Sequence, residues 1–297
     1  MKVIRKLFGL FLLLPLLLLS LGSCKDSSVT GKPVVTVSIE PQRWMLEQLV
    51  GDKMEVQSLL ARGGNPESYE PAFSHLELLE RSRAYFCVGN LGFETAILEK
   101  VRANNPDLPI VMTSDSIDII YNTHKHHHYG NADHGATHNE ADPHTWSSAA
   151  NAKIMAENML RALVEIDSVN APYYTARYVT LAQHIDSVDR AVRSILEPHR
   201  GEAFMVWHPS LSYFARDYGL RQIALGFEGK EFSVADTRAV IDSAAQLRAT
   251  VLMVQKDFDR AKSEPIVKGA MRVETINPLN YDWDEEMLHT ARCIAGE

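Results

Sequence analysis

Cysteine is scarce in this 297-residue chain, and its three copies are poorly placed to ligate or to staple. Cys24 ends an apolar leader, Cys87 sits inside the apolar run 84–88, and Cys293 lies near the C-terminus. With no Cys-x-x-Cys pair, a zinc site built on thiolates is excluded. Cys87 and Cys293 either pair in an oxidising compartment or stay as two free, buried thiols. Positive charge is also short. Thirty Lys and Arg face 38 Asp and Glu, for a formal net charge of −8. No basic patch or stripe marks a nucleic-acid partner. There is no His-Glu-x-x-His helix, so a zinc hydrolase would lack its usual general base. The longest apolar run, 7–19, is too short to span a bilayer.

That run reads as an export signal. Lys2, Arg5 and Lys6 form a basic start, and small residues precede the expected cut. The ending Leu21-Gly22-Ser23-Cys24 resembles a bacterial lipobox, which implies cleavage before Cys24 and lipidation of its thiol. Residues 1–23 are then a signal peptide and 24–32 a flexible tether. The mature chain, at a net charge of about −11, is expected to be exported and lipid-anchored to a bacterial membrane. It would face the periplasm or the cell exterior.

Histidine is what the chain has in excess. Six of its twelve copies, His124, His126, His127, His128, His134 and His138, fall between residues 122 and 140, and His144 follows closely. Neutral imidazole suits zinc, copper and nickel better than calcium or magnesium. The segment 122–142, rich in polar residues and poor in core formers, reads as a mobile, exposed loop. It is either an accessory metal-capturing loop or a solvated insertion.

The rest alternates. Strands are expected at 34–39, 54–60, 84–88 and 110–112, with helices between, and again at 203–207, 221–224, 251–254 and 272–276. This is an α/β pattern: two lobes, each with a mostly parallel sheet flanked by helices. Between them Pro172 opens a pattern in which Tyr174, Tyr178, Leu181, Ile185, Val188, Val192 and Ile195 recur every three or four residues. That stripe fits one helix of about 25 residues, either a strut joining the lobes or a short coiled coil. The expected division is a first lobe at 33–171, a linking helix at 172–199 and a second lobe at 200–297.

In open α/β sheets, ligands bind beyond the carboxyl ends of strands. Candidate metal ligands stand there: Glu67 in Asn65-Pro66-Glu67-Ser68-Tyr69-Glu70-Pro71, His144 in Asp142-Pro143-His144-Thr145-Trp146, His208 in Trp207-His208-Pro209-Ser210, and Asn277 before Pro278. Other readings are a helix cap for Glu67, packing for the two histidines and a turn for Asn277. His75, His184, His199 and His289 sit in helical patterns and read as surface or packing residues.

These motifs, with Gly89-Asn90-Leu91-Gly92-Phe93-Glu94 and the stretch from His208 to Leu220, resemble the metal-specific solute-binding proteins of bacterial ABC importers, of the ZnuA/TroA type. The resemblance implies two lobes on one long helix, and no enzymatic activity. It also implies a metal cargo, an ABC permease as partner and a monomeric chain. Position by position, the family's three usual histidine ligands fall on Glu67, His144 and His208, and an occasional acidic fourth ligand falls on Asn277. The carboxylate of Glu67 thus replaces an imidazole, and Asn277 has no charge. Zn²⁺ is the expected ion, with Mn²⁺ or Fe²⁺ as alternatives because a carboxylate is harder than imidazole. Affinity should fall as pH drops through the histidine range. A surface adhesin or metal buffer is the competing non-enzymatic role.

Overall fold

A computed structural model describes residues 31–60, 69–124, 138–225, 234–256 and 271–297, with isolated positions at 64, 66, 265, 267 and 269. Residues 1–30 with Cys24, Glu67, and His126, His127, His128 and His134 lie outside the described residues. Residues 33–297 form one compact unit.

The first lobe runs β1 (Val34–Val37), α1 (Glu40–Val50), β2 (Glu55–Ser58), α2 (Phe73–Glu80), β3 (Ser82–Cys87), α3 (Gly92–Asn104) and β4 (Ile110–Met112). A hairpin follows, β5 (Tyr121–His124) with β6 (His138–Ala141), and then a 3-10 turn at Thr145–Ser147 and helix α4 (Ala149–Ile166). Helix α5 (Ala171–Leu196) leads to the second lobe. That lobe runs β7 (Ala203–Val206), α6 (Ser212–Tyr218), β8 (Arg221–Ala224), α7 (Val234–Gln246), β9 (Val251–Gln255), β10 (Arg272–Ile276) and α8 (Trp283–Ala295).

Each lobe holds a four-stranded, wholly parallel sheet, ordered β2-β1-β3-β4 in the first and β10-β9-β7-β8 in the second. Parallel strands are covered on both faces, which explains apolar runs in place of alternation. In β7 all four residues are buried, and they feed two different cores: Phe204 and Val206 pack toward the linking helix, Ala203 and Met205 toward the outer face. The fold is therefore the two-lobed α/β architecture expected of the sequence.

Helix α5 carries the predicted stripe. Tyr174, Leu181, Ile185, Val188 and Val192 are buried, and Tyr178 and Ile195 pack partly buried against the same core. The helix lies against α1 and α4 of the first lobe and α8 of the second. Its apolar face is thus covered within the chain, which removes the reason for a coiled-coil dimer. Among the described residues no helix is long and apolar enough to cross a membrane.

One expectation changes, and one pair of alternatives resolves. The flanks of the segment expected to be an exposed loop are ordered strands, with His124 and His138 opposed as register partners at the end of the hairpin. Cys87 and Cys293 are buried free thiols, one in β3 and the other in α8. Burial raises both thiol pKa values, Cys293 to about 11.

In the first lobe, strand order reverses between β1 and β3, where an α/β sheet opens its crevice. The chain fills this crevice itself. The buried Glu94 carboxylate accepts the backbone N–H groups of Val88 at 2.6 Å and Gly89 at 2.7 Å, with Leu91 at 3.3 Å and the Ser38 hydroxyl also donating. This accounts for the Gly89–Glu94 motif as an architectural plug. Burial still raises the Glu94 pKa despite those donors.

Candidate metal centre

The first histidine arrives through a rigid approach. Hairpin β5–β6 ends at Ala141, and Asp142-Pro143-His144 leads into the 3-10 turn. The His144 carbonyl accepts the Ser147 N–H at 3.0 Å and the Ser147 hydroxyl at 2.8 Å, which closes the turn beneath it. His144 is buried at 8% exposure and Asp142 at 1%. One oxygen of Asp142, Oδ1, accepts both the His144 backbone N–H at 2.9 Å and the ring Nδ1–H at 2.8 Å. A carboxylate on Nδ1 fixes the tautomer and turns the Nε2 lone pair outward, the usual support for a metal-bound histidine. Burial opposes the charge on Asp142, but the His144 side chain and backbone outweigh it and hold the carboxyl below its ordinary range.

The second histidine follows β7. Trp207 continues the ladder by donating to the Met253 carbonyl at 2.9 Å, and Pro209 then stops the strand. The connection turns tightly, with the Ser210 N–H on the His208 carbonyl at 2.8 Å, and is braced where Leu211 N–H meets the Gln222 side chain at 2.7 Å. Burial, reinforced by neighbouring His144, lowers the His208 pKa to about 4. His208 therefore keeps its lone pair well below the ordinary histidine range.

The two rings meet across the lobes, with Nε2 of His144 3.2 Å from Nε2 of His208 and centroids 5.0 Å apart. Two lone pairs facing each other at that distance repel unless a proton or a cation sits between them. Two nitrogens on one tetrahedral Zn²⁺, each at about 2.0–2.1 Å, would stand about 3.3 Å apart. The observed spacing fits that edge.

Among the described residues, no group of three or more His, Cys, Asp or Glu converges as a ligand set. The other sequence candidates fare differently. Glu67 lies outside the described residues, and Glu70, three residues on in the same motif, is exposed. Asn277 is a turn residue: its N–H donates to Glu286 at 2.7 Å and its carbonyl accepts Asn280 N–H at 2.8 Å. His75 bonds Tyr69, His184 bonds Asp284, His199 bonds Glu202 and His289 bonds the Thr275 carbonyl, each a packing or surface role.

Two supporting residues carry roles that the sequence reading missed. Asp142 stands in the motif two residues before a candidate ligand, and a carboxylate at that spacing is a legible signal. Tyr213, whose hydroxyl donates to the Asp142 carbonyl at 2.7 Å, reads in sequence as one more core aromatic of α6.

Comparison with known proteins identifies the family and the fold. The family model described as zinc-uptake complex component A, periplasmic (ZnuA), matches residues 35–290. A putative metal-binding protein of Chlamydia muridarum is 32% identical over 213 residues, covering 71% of each chain. The zinc-binding lipoprotein AdcA of Streptococcus pneumoniae is 24% identical over 288 residues, 93% of this chain and 56% of AdcA, so the chain spans about half of that longer relative. A crystal structure of ZnuA superimposes with a TM-score of 0.78 at 31% identity, covering 89% of this chain and 98% of that one.

Proposed function

The chain belongs to the zinc-uptake complex component A family, extracytoplasmic solute-binding proteins of ABC importers and not enzymes, and from that premise we propose that it captures Zn²⁺ outside the cytoplasmic membrane and delivers it to an ABC permease. The observation that carries this reading is the pair of Nε2 atoms 3.2 Å apart, one from each lobe, with the Asp142 carboxylate behind His144. His144 and His208 are the proposed protein ligands from the described residues, and Glu67 the proposed third on its motif position. Water or the Asn277 side-chain oxygen completes a tetrahedral site of this kind.

Capture needs neutral imidazoles. His208 is kept neutral by burial, and His144 is oriented by Asp142. The hairpin histidines His124 and His138, with His126, His127, His128 and His134, are proposed to collect the ion weakly near the tight site. Cys24 is proposed as the lipid anchor, residues 24–32 as the tether, and the chain as a monomer. AdcA, named as a lipoprotein, supports the anchor.

A manganese or iron(II) cargo is the second reading, and Glu67 favours it, since a carboxylate is harder than the imidazole it replaces. The metal that co-purifies from unsupplemented cells, measured by elemental analysis, separates the two. For the site itself, His208→Ala should weaken zinc binding in a competition titration by more than the ~10–100-fold that loss of a supporting partner costs. Unchanged affinity would remove His208 from the site.

A further inference from the structure

Hairpin β5–β6 is irregular at its base. Tyr121 and Ala141 are register partners, so the next pair toward the site is Ile120 with Asp142. Hydrogen-bonded partners in an antiparallel ladder exchange both of their N–H···O bonds. Asp142 N–H donates directly to the Ile120 carbonyl at 2.8 Å. The return bond is interrupted by a side chain: Ile120 N–H donates to the Tyr213 hydroxyl at 3.2 Å, and that hydroxyl donates to the Asp142 carbonyl at 2.7 Å. A phenol from the second lobe is spliced into a ladder of the first.

The splice is built in. The Tyr213 ring is fully buried in α6, five residues after His208. One turn later Arg216 lies over that ring at 5.1 Å and donates to the Asp118 carbonyl at 3.0 Å, gripping the same strand entry. We propose that Tyr213 is a positioning residue for metal capture: its hydroxyl fixes the Asp142 peptide, and through the Asp142 carboxylate the His144 imidazole, relative to His208. This rests on His144 and His208 being ligands.

The physical case is one of shared anchorage. Asp142 aims His144 with its side chain while its peptide is held by Tyr213. His208 lies on the short connection between β7 and α6, and Tyr213 in the first turn of α6 that follows it. Any small shift of that connection carries His208 and the Asp142 peptide together, so the spacing of the two Nε2 atoms is preserved. Without the hydroxyl, Ile120 N–H and the Asp142 carbonyl are free to bond each other directly. That draws Asp142 toward the hairpin and tilts His144 away from its partner. Coupling between an ion and such an element is reciprocal, so the ion in turn tightens the splice.

Tyr213→Phe tests this. Zinc affinity by competition titration is expected to fall ~10-fold or more, within the range for lost outer-shell partners, and the His144 ring ¹⁵N shifts of the metal-free protein should move. In the unaltered protein, exchange of the Ile120 amide should slow when zinc is added, a measurement independent of how the variant folds. A folded Tyr213→Phe protein with unchanged affinity and unchanged His144 shifts overturns the proposal. An Ile120 amide indifferent to zinc overturns it as well. His208→Ala separates the two levels: if it keeps full affinity, the ligand reading fails. If it loses affinity while Tyr213→Phe does not, only the positioning role fails.

Discussion

Acid should destabilise the metal-free protein through one imidazole. Burial, with His144 beside it, holds His208 at a pKa of about 4, against 6.5 for an unperturbed histidine. Between those values the unfolded chain binds a proton that the folded chain refuses. Stability then rises with pH, because the unfolded state binds more protons. The contribution of His208 is fully present above about 6.5 and is lost as pH falls through about 4. That span corresponds to about 3 kcal/mol, a large share of the roughly 5–15 kcal/mol typical of whole domains. Asp142, whose pKa is held below the ordinary carboxylate range, acts below most of this window and does not mask it. Urea unfolding of chelator-treated protein, followed by tryptophan fluorescence from pH 7.5 to 4, measures the effect. His208→Gln should flatten the curve by about 3 kcal/mol over that interval. Parallel curves for the two proteins would refute the argument; the raised pKa of buried Glu94 acts in the opposite sense but is common to both.

Two further outcomes follow from the geometry. Excising residues 125–137 and closing His124 to His138 with a short turn should keep one tight zinc equivalent while removing weak equivalents in a direct titration, since the cut spares both strands of the hairpin. Loss of the tight site would place a ligand in the excised segment. Small-angle scattering of metal-free and zinc-loaded protein should give the same radius of gyration to within about 0.5 Å, against the larger change that a hinge closure produces; a clear contraction on loading would show lobes that open.

The sequence exposed the fold through periodicity, and exposed the site through strand ends. Apolar runs of four or five residues alternating with helical patterns gave both parallel sheets, and the stripe from Tyr174 to Ile195 gave the long helix, because burial on a fixed face leaves a fixed period. His144 and His208 were legible because each stands beside a proline at the end of a strand or turn. What was not legible depends on partners distant in sequence. The β5–β6 pairing joins segments with little apolar content, so no period announces it. Tyr213 is an aromatic in an apolar helix until its hydroxyl is seen between Ile120 and Asp142. The pKa of His208 comes from burial across the lobes, which local sequence does not encode.

The same contacts constrain how an ion can enter. Trp146 Nε1–H donates to the Pro278 carbonyl and Trp283 Nε1–H to the Trp146 carbonyl, both at 2.7 Å and both between lobes. Tyr281 reaches Glu47 across the same interface, with Arg43 over its ring, and Ser148 reaches Asp217. With Tyr213 and Arg216 added, half a dozen bonds at about 1 kcal/mol net each sum to roughly 5 kcal/mol or more. At 1.4 kcal/mol per factor of ten, a fully opened form would be populated on the order of one molecule in several thousand. The apolar core beneath those bonds runs unbroken from Val35 to Ile294, which lowers that population further. In the proposed role, capture would then proceed by local displacement around a histidine pair already at ligand spacing, with little binding energy diverted into moving lobes. The consequence falls on release. A ligand shifts an equilibrium only by its differential affinity for two states, and a preformed pair offers the ion no weaker state of its own. In the proposed role that weaker state has to be imposed by the permease.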